Sequence, residues 1–275
     1  MFPSNLMVPQ VGQRGSKLSP RLWSRLIEEG LSADGTAPGD LLVEDFVSSP
    51  SLTSSGACND LYFFSESSAT VKQNADSGKS AVELATGATA NKNATLITNG
   101  NTGNVGAISD TAGSDKLTIF EARVKLADVA DSSAFIGLAA PGSAAASKPL
   151  SGTTHVLADQ AAIGFLVTED DPDALKFAYV KSSQSSQVTV LTYASNLVAD
   201  QYYNLGFVYD PSAPASEKIK IYIDNVEQSA KVSASDIAAA TFPDGDVLAA
   251  CVSVRSSAAA AEKLYLDLLA YYQAG

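Results

Sequence analysis

An all-β, two-sheet antiparallel sandwich, preceded by an extended N-terminal arm with one short helix, is the fold class the sequence predicts. Three observations carry it. After residue 40 the apolar period changes from helical to two, many short apolar runs are separated by Pro, Gly and Asp turns, and no helical stripe is sustained beyond that point. A chain of 275 residues then divides into an arm and linker, 1–40, and one sandwich domain, 41–275.

Residues 1–18 hold Pro3, Pro9, Gly12 and Gly15 with no apolar period and read as extended. Ser19-Pro20 supplies an N-cap and a proline at the first helical position, and Leu22, Trp23, Leu26 and Ile27 make one stripe ending before Gly30. A helix of about ten residues is marginal alone in water and has to dock. It docks on its own domain or on another protein; the second reading draws on the chain's only Trp falling here. On that reading Arg14, Lys17, Arg21, Leu22, Trp23, Arg25, Leu26 and Ile27 anchor a partner. Residues 31–40 are a linker by composition.

Strands follow at Leu41–Val47, Leu61–Phe64 and Thr95–Thr98. In Thr118–Leu126, Phe120, Ala122 and Val124 alternate with Glu121, Arg123 and Lys125, which predicts one buried and one wet face. Ala134–Ala139, Ile163–Val167, Leu175–Lys181, Val188–Tyr193 and Leu205–Tyr209 continue the pattern. Lys218–Asp224 is the clearest, with Ile219, Ile221 and Ile223 on one face. Ala234–Ala240 has room for one helical turn, and Val247–Val254 and Leu264–Tyr272 close the domain. The turns are Pro141-Gly142-Ser143, Asp170-Asp171-Pro172-Asp173, Asp210-Pro211, Asp224-Asn225 and Pro243-Asp244-Gly245-Asp246.

Charged residues are sparse, 17%, and the net charge is −12, so a field that gathers nucleic-acid phosphate is absent and no nucleic-acid partner is expected. No run of 18 apolar residues predicts a membrane helix, and Met1–Leu6 lacks the basic and apolar regions of a secretory signal, so the expectation is a soluble chain made in a cytoplasm. Cys58 and Cys251 then read as thiols, not a disulfide. His155 is the only histidine, so Cys-His zinc sites and His-based triads lack their usual parts.

Four patterns suggest chemistry. Gln73–Ser80 ends like a phosphate-binding loop but lacks its first glycine and reads as a polar hairpin loop. Glu169, Asp170, Asp171 and Asp173 offer hard ligands for Ca²⁺ yet lie in a turn where acidic residues are common; Asp244 and Asp246 are read alike, and no metal or cofactor is expected. A glycosidase needs two facing carboxyls, whereas Glu44 and Asp45 are adjacent and Glu121 stands alone, so the chain is expected not to be an enzyme. Tyr202, Tyr203, Phe207, Tyr209, Tyr222, Tyr265, Tyr271 and Tyr272 either fill a core or subunit seam or offer faces for stacking sugars. Asn93-Ala94-Thr95 matches a glycosylation sequon, without weight in the absence of a secretory signal.

The segments Phe120–Leu126, Phe135–Ala139, Ile163–Leu166, Tyr202–Asp210, Ile219–Asn225 and Leu264–Tyr272 together resemble the concanavalin A-like, or laminin G-like, jelly-roll sandwich found in phage structural proteins. The resemblance spans residues 41–273. It lacks the Glu-x-Asp-x-x-Glu strand of the glycosidase members, and legume-lectin metal ligands have no matching positions. It implies a virion structural protein that decorates or cements the exterior of a phage capsid, partnered by the major capsid protein and by itself as a homotrimer. The alternative is a carbohydrate-binding module of a fibre or lectin-like surface protein.

Overall fold

The computed structural model describes residues 18–24, 39–46, 56–58, 61–66, 69–73, 81–98, 106–146, 148–157, 159–168 and 171–275. Two antiparallel sheets face each other in a jelly-roll sandwich. The first contains β1 (Gly39–Glu44), β4 (Thr70–Gln73), β5 (Val82–Ala85), β8 (Thr118–Leu126), β15 (Tyr202–Tyr209), β16 (Ile219–Ile223), β17 (Val226–Val232) and β19 (Lys263–Ala274), in the order β17-β16-β15-β8-β19-β5-β4 with β1 also paired to β19. The second contains β2 (Gly56–Cys58), β3 (Leu61–Ser65), β6 (Asn93–Thr98), β7 (Gly106–Ala107), β9 (Ser132–Ala139), β12 (Ala162–Thr168), β13 (Asp171–Val180), β14 (Val188–Thr192) and β18 (Val247–Ser256), in the order β14-β13-β12-β9-β18-β6-β3-β2 with β7 on β18. A small hairpin of β10 (Leu150–Ser151) and β11 (Val156–Leu157) stands apart.

Alternation builds the core. Phe120, Ala122 and Val124 of β8, Leu205 and Phe207 of β15 and the three isoleucines of β16 point inward against Ile136, Phe165, Phe177 and Val252 of the other sheet. Phe120 stacks on Phe207 with centroids 5.4 Å apart, Phe207 meets Phe177 edge-on at 5.4 Å, and Phe177 meets Phe165 at 5.1 Å, a chain of rings crossing from sheet to sheet. The single turn expected near Ala234 is α1 (Ala234–Ile237), where Ser233 and Asp236 form a reciprocal capping box.

Two expectations change. The face of the eight-stranded sheet opposite the core is only partly wet: Ile119 and Glu121 of β8 and Tyr222 of β16 are buried because residues 18–24 lie over them, and Lys125 is buried between Tyr202 and Tyr265. Strand edges also move, with β1 ending at Glu44 and β14 at Thr192, while β5 and β17 escaped the pattern. Val82–Ala85 is buried on both faces, and Val226–Val232 is a largely exposed polar strand, so neither alternates clearly.

Candidate functional site

The outer face of the eight-stranded sheet has two halves. On one, the segment Leu18–Ser24 forms a strap. Trp23 N–H donates to Ser19 O at 3.2 Å, closing one helical turn, and Leu18, Leu22 and Trp23 bury against Ile119, Val208, Tyr222, Ala270 and Tyr272. At its centre Glu121 lies between Gly206 and Ala270 in register, small neighbours that leave room for the strap. Its carboxylate accepts from Ser19 N–H at 3.1 Å, from Ser19 Oγ, and from Trp23 Nε1 at 2.6 Å. Burial pushes the Glu121 carboxyl above its ordinary range, and these hydrogen bonds pull only partly the other way. Ser19 therefore spends its hydroxyl on Glu121 and not, as expected, on capping a helix N-terminus.

The other half carries a polar row across five strands. Tyr202 of β15 pairs with Lys125 of β8, Lys125 with Tyr265 of β19, Tyr265 with Glu83 of β5, and Glu83 with Lys72 of β4, so all five side chains share the outer face. Lys125 Nζ lies 4.4 Å from the Tyr265 centroid and 5.3 Å from that of Tyr202, while the Arg123 guanidinium stacks 4.6 Å over Tyr202. A register shift between Leu266 and Leu268 places Asp267 to pair with Arg123, and Lys263 Nζ reaches Glu83 at 3.2 Å. Tyr202 and Tyr265 stay half-exposed on this row.

An open cleft of about 420 Å³ at the strap's far edge is lined by Pro20, Arg21, Ser24, Tyr222 and Glu227. Its carboxylate is engaged by Lys231 and by Tyr222 Oη at 3.3 Å.

On the outer face of the second sheet a loop that includes the cis Lys148-Pro149 bond and the β10–β11 hairpin covers a buried polar cluster. His155, with φ of 54°, joins Ser133 Oγ through Nδ1 and Asn91 Oδ1 through Nε2, both at 2.8 Å. Arg255 donates to Leu150 O, and Asn93 Nδ2 donates to Lys148 O at 2.9 Å and Ala145 O at 3.1 Å. Burial and the nearby Arg255 charge push His155 down to about 4, so the ring is neutral at pH 7. Ser133 and His155 are fully buried, so this line of Ser, His and Asn holds the loop down and offers substrate no access to Ser133 Oγ.

Of the eight residues expected as arm anchors, Leu22 and Trp23 are 1% exposed against the chain's own sheet, and Arg21 is exposed with its N–H on Asn225 Oδ1 at 3.0 Å. Arg14, Lys17, Arg25, Leu26 and Ile27 lie outside the described residues, as do Asn74–Ser80, Glu169 and Asp170. Among the late aromatics, Tyr203, Phe207, Tyr209, Tyr222, Tyr271 and Tyr272 are buried, leaving Tyr202 and Tyr265 outward. Asn93 of the sequon is 1% exposed. Cys251 is a free, buried thiol whose pKa burial pushes well up. Among the described residues no group of three or more His, Cys, Asp or Glu is placed to hold a metal, and no helix is long and apolar enough to cross a membrane.

No family model and no curated protein matches the sequence. Solved structures do share the fold. A protein of unknown function from Shewanella oneidensis MR-1 is 15% identical, with 94% of this chain and 96% of that chain covered and a TM-score of 0.55. The catalytic domain of an endo-1,3-β-glucanase (laminarinase) from Thermotoga petrophila is 12% identical over 85% and 98%, TM-score 0.50, and peanut lectin is 14% identical over 85% and 97%, TM-score 0.51. These neighbours support the concanavalin A-like jelly roll and say nothing of a phage capsid. They also correct the expectation of a chain that is not an enzyme. A catalytic domain is built on this same sandwich, so one missing motif is no ground for excluding catalysis.

Proposed function

We propose that the chain binds carbohydrate on the outer face of its eight-stranded sheet. One observation carries the reading: Tyr202 and Tyr265, the two late tyrosines left half-exposed, flank Lys125 in one cross-strand row, with Arg123, Asn204 and Asp267 beside it. Apolar ring surface next to planar hydrogen-bonding groups is the chemistry a sugar ring needs, since its C–H face packs on an aromatic and its hydroxyls take directed bonds. A lectin and a glucanase on the same fold support the class of ligand. The test is calorimetric titration of the full chain with a panel of polysaccharides, alongside Tyr202→Ala and Tyr265→Ala. Saturable binding weakened about tenfold by either variant, near 1.4 kcal/mol, is expected. A flat titration across the panel overturns it. The same mixtures assayed for new reducing ends test whether binding leads to hydrolysis, with the exposed Asp200 and the ion-paired Glu83 and Asp267 the carboxyls along this row to substitute first.

A second reading is a decoration protein on the exterior of a phage head, bound to the major capsid protein as a homotrimer. The strap favours it: residues 1–17, with Arg14 and Lys17, join the fold at Leu18 on an outer face of the sandwich. Co-sedimentation with heads lacking the protein tests it, comparing the full chain with one beginning at Leu18, which keeps the strap. Binding by neither removes the reading.

A further inference from the structure

Resting on the carbohydrate reading, we infer that the ligand is an anionic glycan, one bearing carboxylate, sulfate or phosphate groups, and that Arg123 and Lys263 select it. Two ion pairs along this row turn their cation outward, whereas a third, Lys125–Asp200 at 3.6 Å, leaves its carboxylate 71% exposed and its cation 10%. In Arg123–Asp267 the cation is 31% exposed and the carboxylate 2%; in Lys263–Glu83 the values are 39% and 5%. Both pairs turn their positive ends outward and bury their negative ends in the sheet. Lys72, next in the row, is exposed as well. Such a cationic face is local in a chain whose net charge is −12, so it is not a by-product of composition.

Each carboxylate fixes its cation against the sheet, so little side-chain freedom is lost when a second anion arrives. Arg123 is held twice, by Asp267 through Nη1 and by the Tyr202 ring beneath it, and its planar fork carries further N–H donors suited to a carboxylate or sulfate. A neutral glycan would offer the outward N–H donors of Arg123 and Lys263 only uncharged acceptors, which make weaker hydrogen bonds than an anionic group does. An acidic one places an anionic group on Arg123 or Lys263 while its ring meets Tyr202 or Tyr265. Burial of Asp267 and Glu83 keeps their negative ends back from an approaching anion, and the exposed Asp200 beside Lys125 is a carboxylate that opposes it.

The experiment titrates the full chain with polygalacturonate as the anionic probe and dextran and laminarin as neutral ones, at low and high salt. Arg123→Gln, Lys263→Gln and the exposed Lys72→Gln are measured beside the parent, with circular dichroism to confirm folding. The expected result is binding of polygalacturonate at least tenfold tighter than of either neutral polymer, weakened several-fold by salt and about tenfold by Arg123→Gln or Lys263→Gln. Neutral polymers bound as well as polygalacturonate overturn the inference and leave the carbohydrate reading standing. Polygalacturonate binding untouched by all three variants also overturns it, by placing the contact elsewhere. No binding of any polymer overturns both. Should Arg123→Gln fail to fold, Lys263→Gln and Lys72→Gln carry the same comparison.

Discussion

Trp23 Nε1 donates to Glu121 Oε2 at 2.6 Å, joining residues 98 apart and fixing the strap to the middle of a sheet. The bond explains why a carboxylate sits buried where β8 would otherwise be apolar. Among the described residues, the hydrogen bonds to that group come from the strap, so strap and carboxylate need each other.

Trp23 is the only tryptophan, so its fluorescence reports docking directly. Trp23→Phe is expected to keep most of the apolar burial but lose the Nε1 bond, costing about 1–3 kcal/mol of docking. Limited proteolysis between the strap and β1 should speed up accordingly. In the parent chain, iodide should quench Trp23 weakly; strong quenching would contradict the buried position.

Glycine at 206 has a spatial reason. A Cβ there would stand 2.2 Å from Leu22 Cδ1 and 2.8 Å from Phe120 O. Gly206→Val is therefore expected to evict Leu22 and expose Trp23, raising iodide quenching severalfold. A Gly206→Val chain with parent-like quenching would show that the strap does not use this gap.

Glu121 sets a pH dependence with a definite sign. Its folded pKa is raised, so the docked state binds more protons than the undocked one. The favourable contribution is complete below the ordinary glutamate value and is lost as pH rises through the raised one. Strap docking should tighten on mild acidification, and Glu121→Gln, which keeps an acceptor and removes the charge, should flatten that part of the profile. Iodide quenching of Trp23 across pH measures both.

His155 pulls the other way. Its folded pKa of about 4 lies below the ordinary 6.5, so its contribution is present above 6.5 and is lost as pH falls toward 4. The full swing is about 3 kcal/mol. Urea unfolding of the parent at pH 8 and pH 4.5 should show that loss, and His155→Gln should reduce it while lowering stability at pH 8. An unchanged difference in His155→Gln would assign the acid sensitivity to other groups.

Most of the sandwich was legible because strands with one face in the core must alternate, as β8 and β16 do. Val82–Ala85 was not, since burial on both faces erases alternation, nor was Val226–Val232, whose polar residues leave little to alternate. The same logic sorts the aromatics. With Leu205 and Phe207 inward, parity sends Tyr203 in and Tyr202 out, and with Leu264 and Leu266 inward it sends Tyr265 out. Tyr271 packs in the core between the sheets, and Tyr272 on the opposite face is buried as well because the strap roofs that face. That roof was the illegible part. Beside Arg123 and Lys125, Glu121 reads as a wet residue, and only a segment far away in sequence makes it a buried one. The ion-pair orientation that marks the site was hidden for a related reason, since Asp267 reaches Arg123 through a register shift in β19 that no local pattern announces.

The position of β19 bears on the order in which this protein can assemble. It lies between β8 and β5 and also receives β1, so three earlier strands wait for the segment 263–274. On a ribosome, the eight-stranded sheet stays open through its middle until that segment has emerged, and Ser19–Trp23, made well before it, has no finished face to land on. Contacts of such long sequence separation form slowly and leave unpaired edges exposed in the meantime. A nascent chain halted before residue 263 is thus a distinct hazard for aggregation, and strap docking, which needs Ala270 and Tyr272 in place, marks the completed fold.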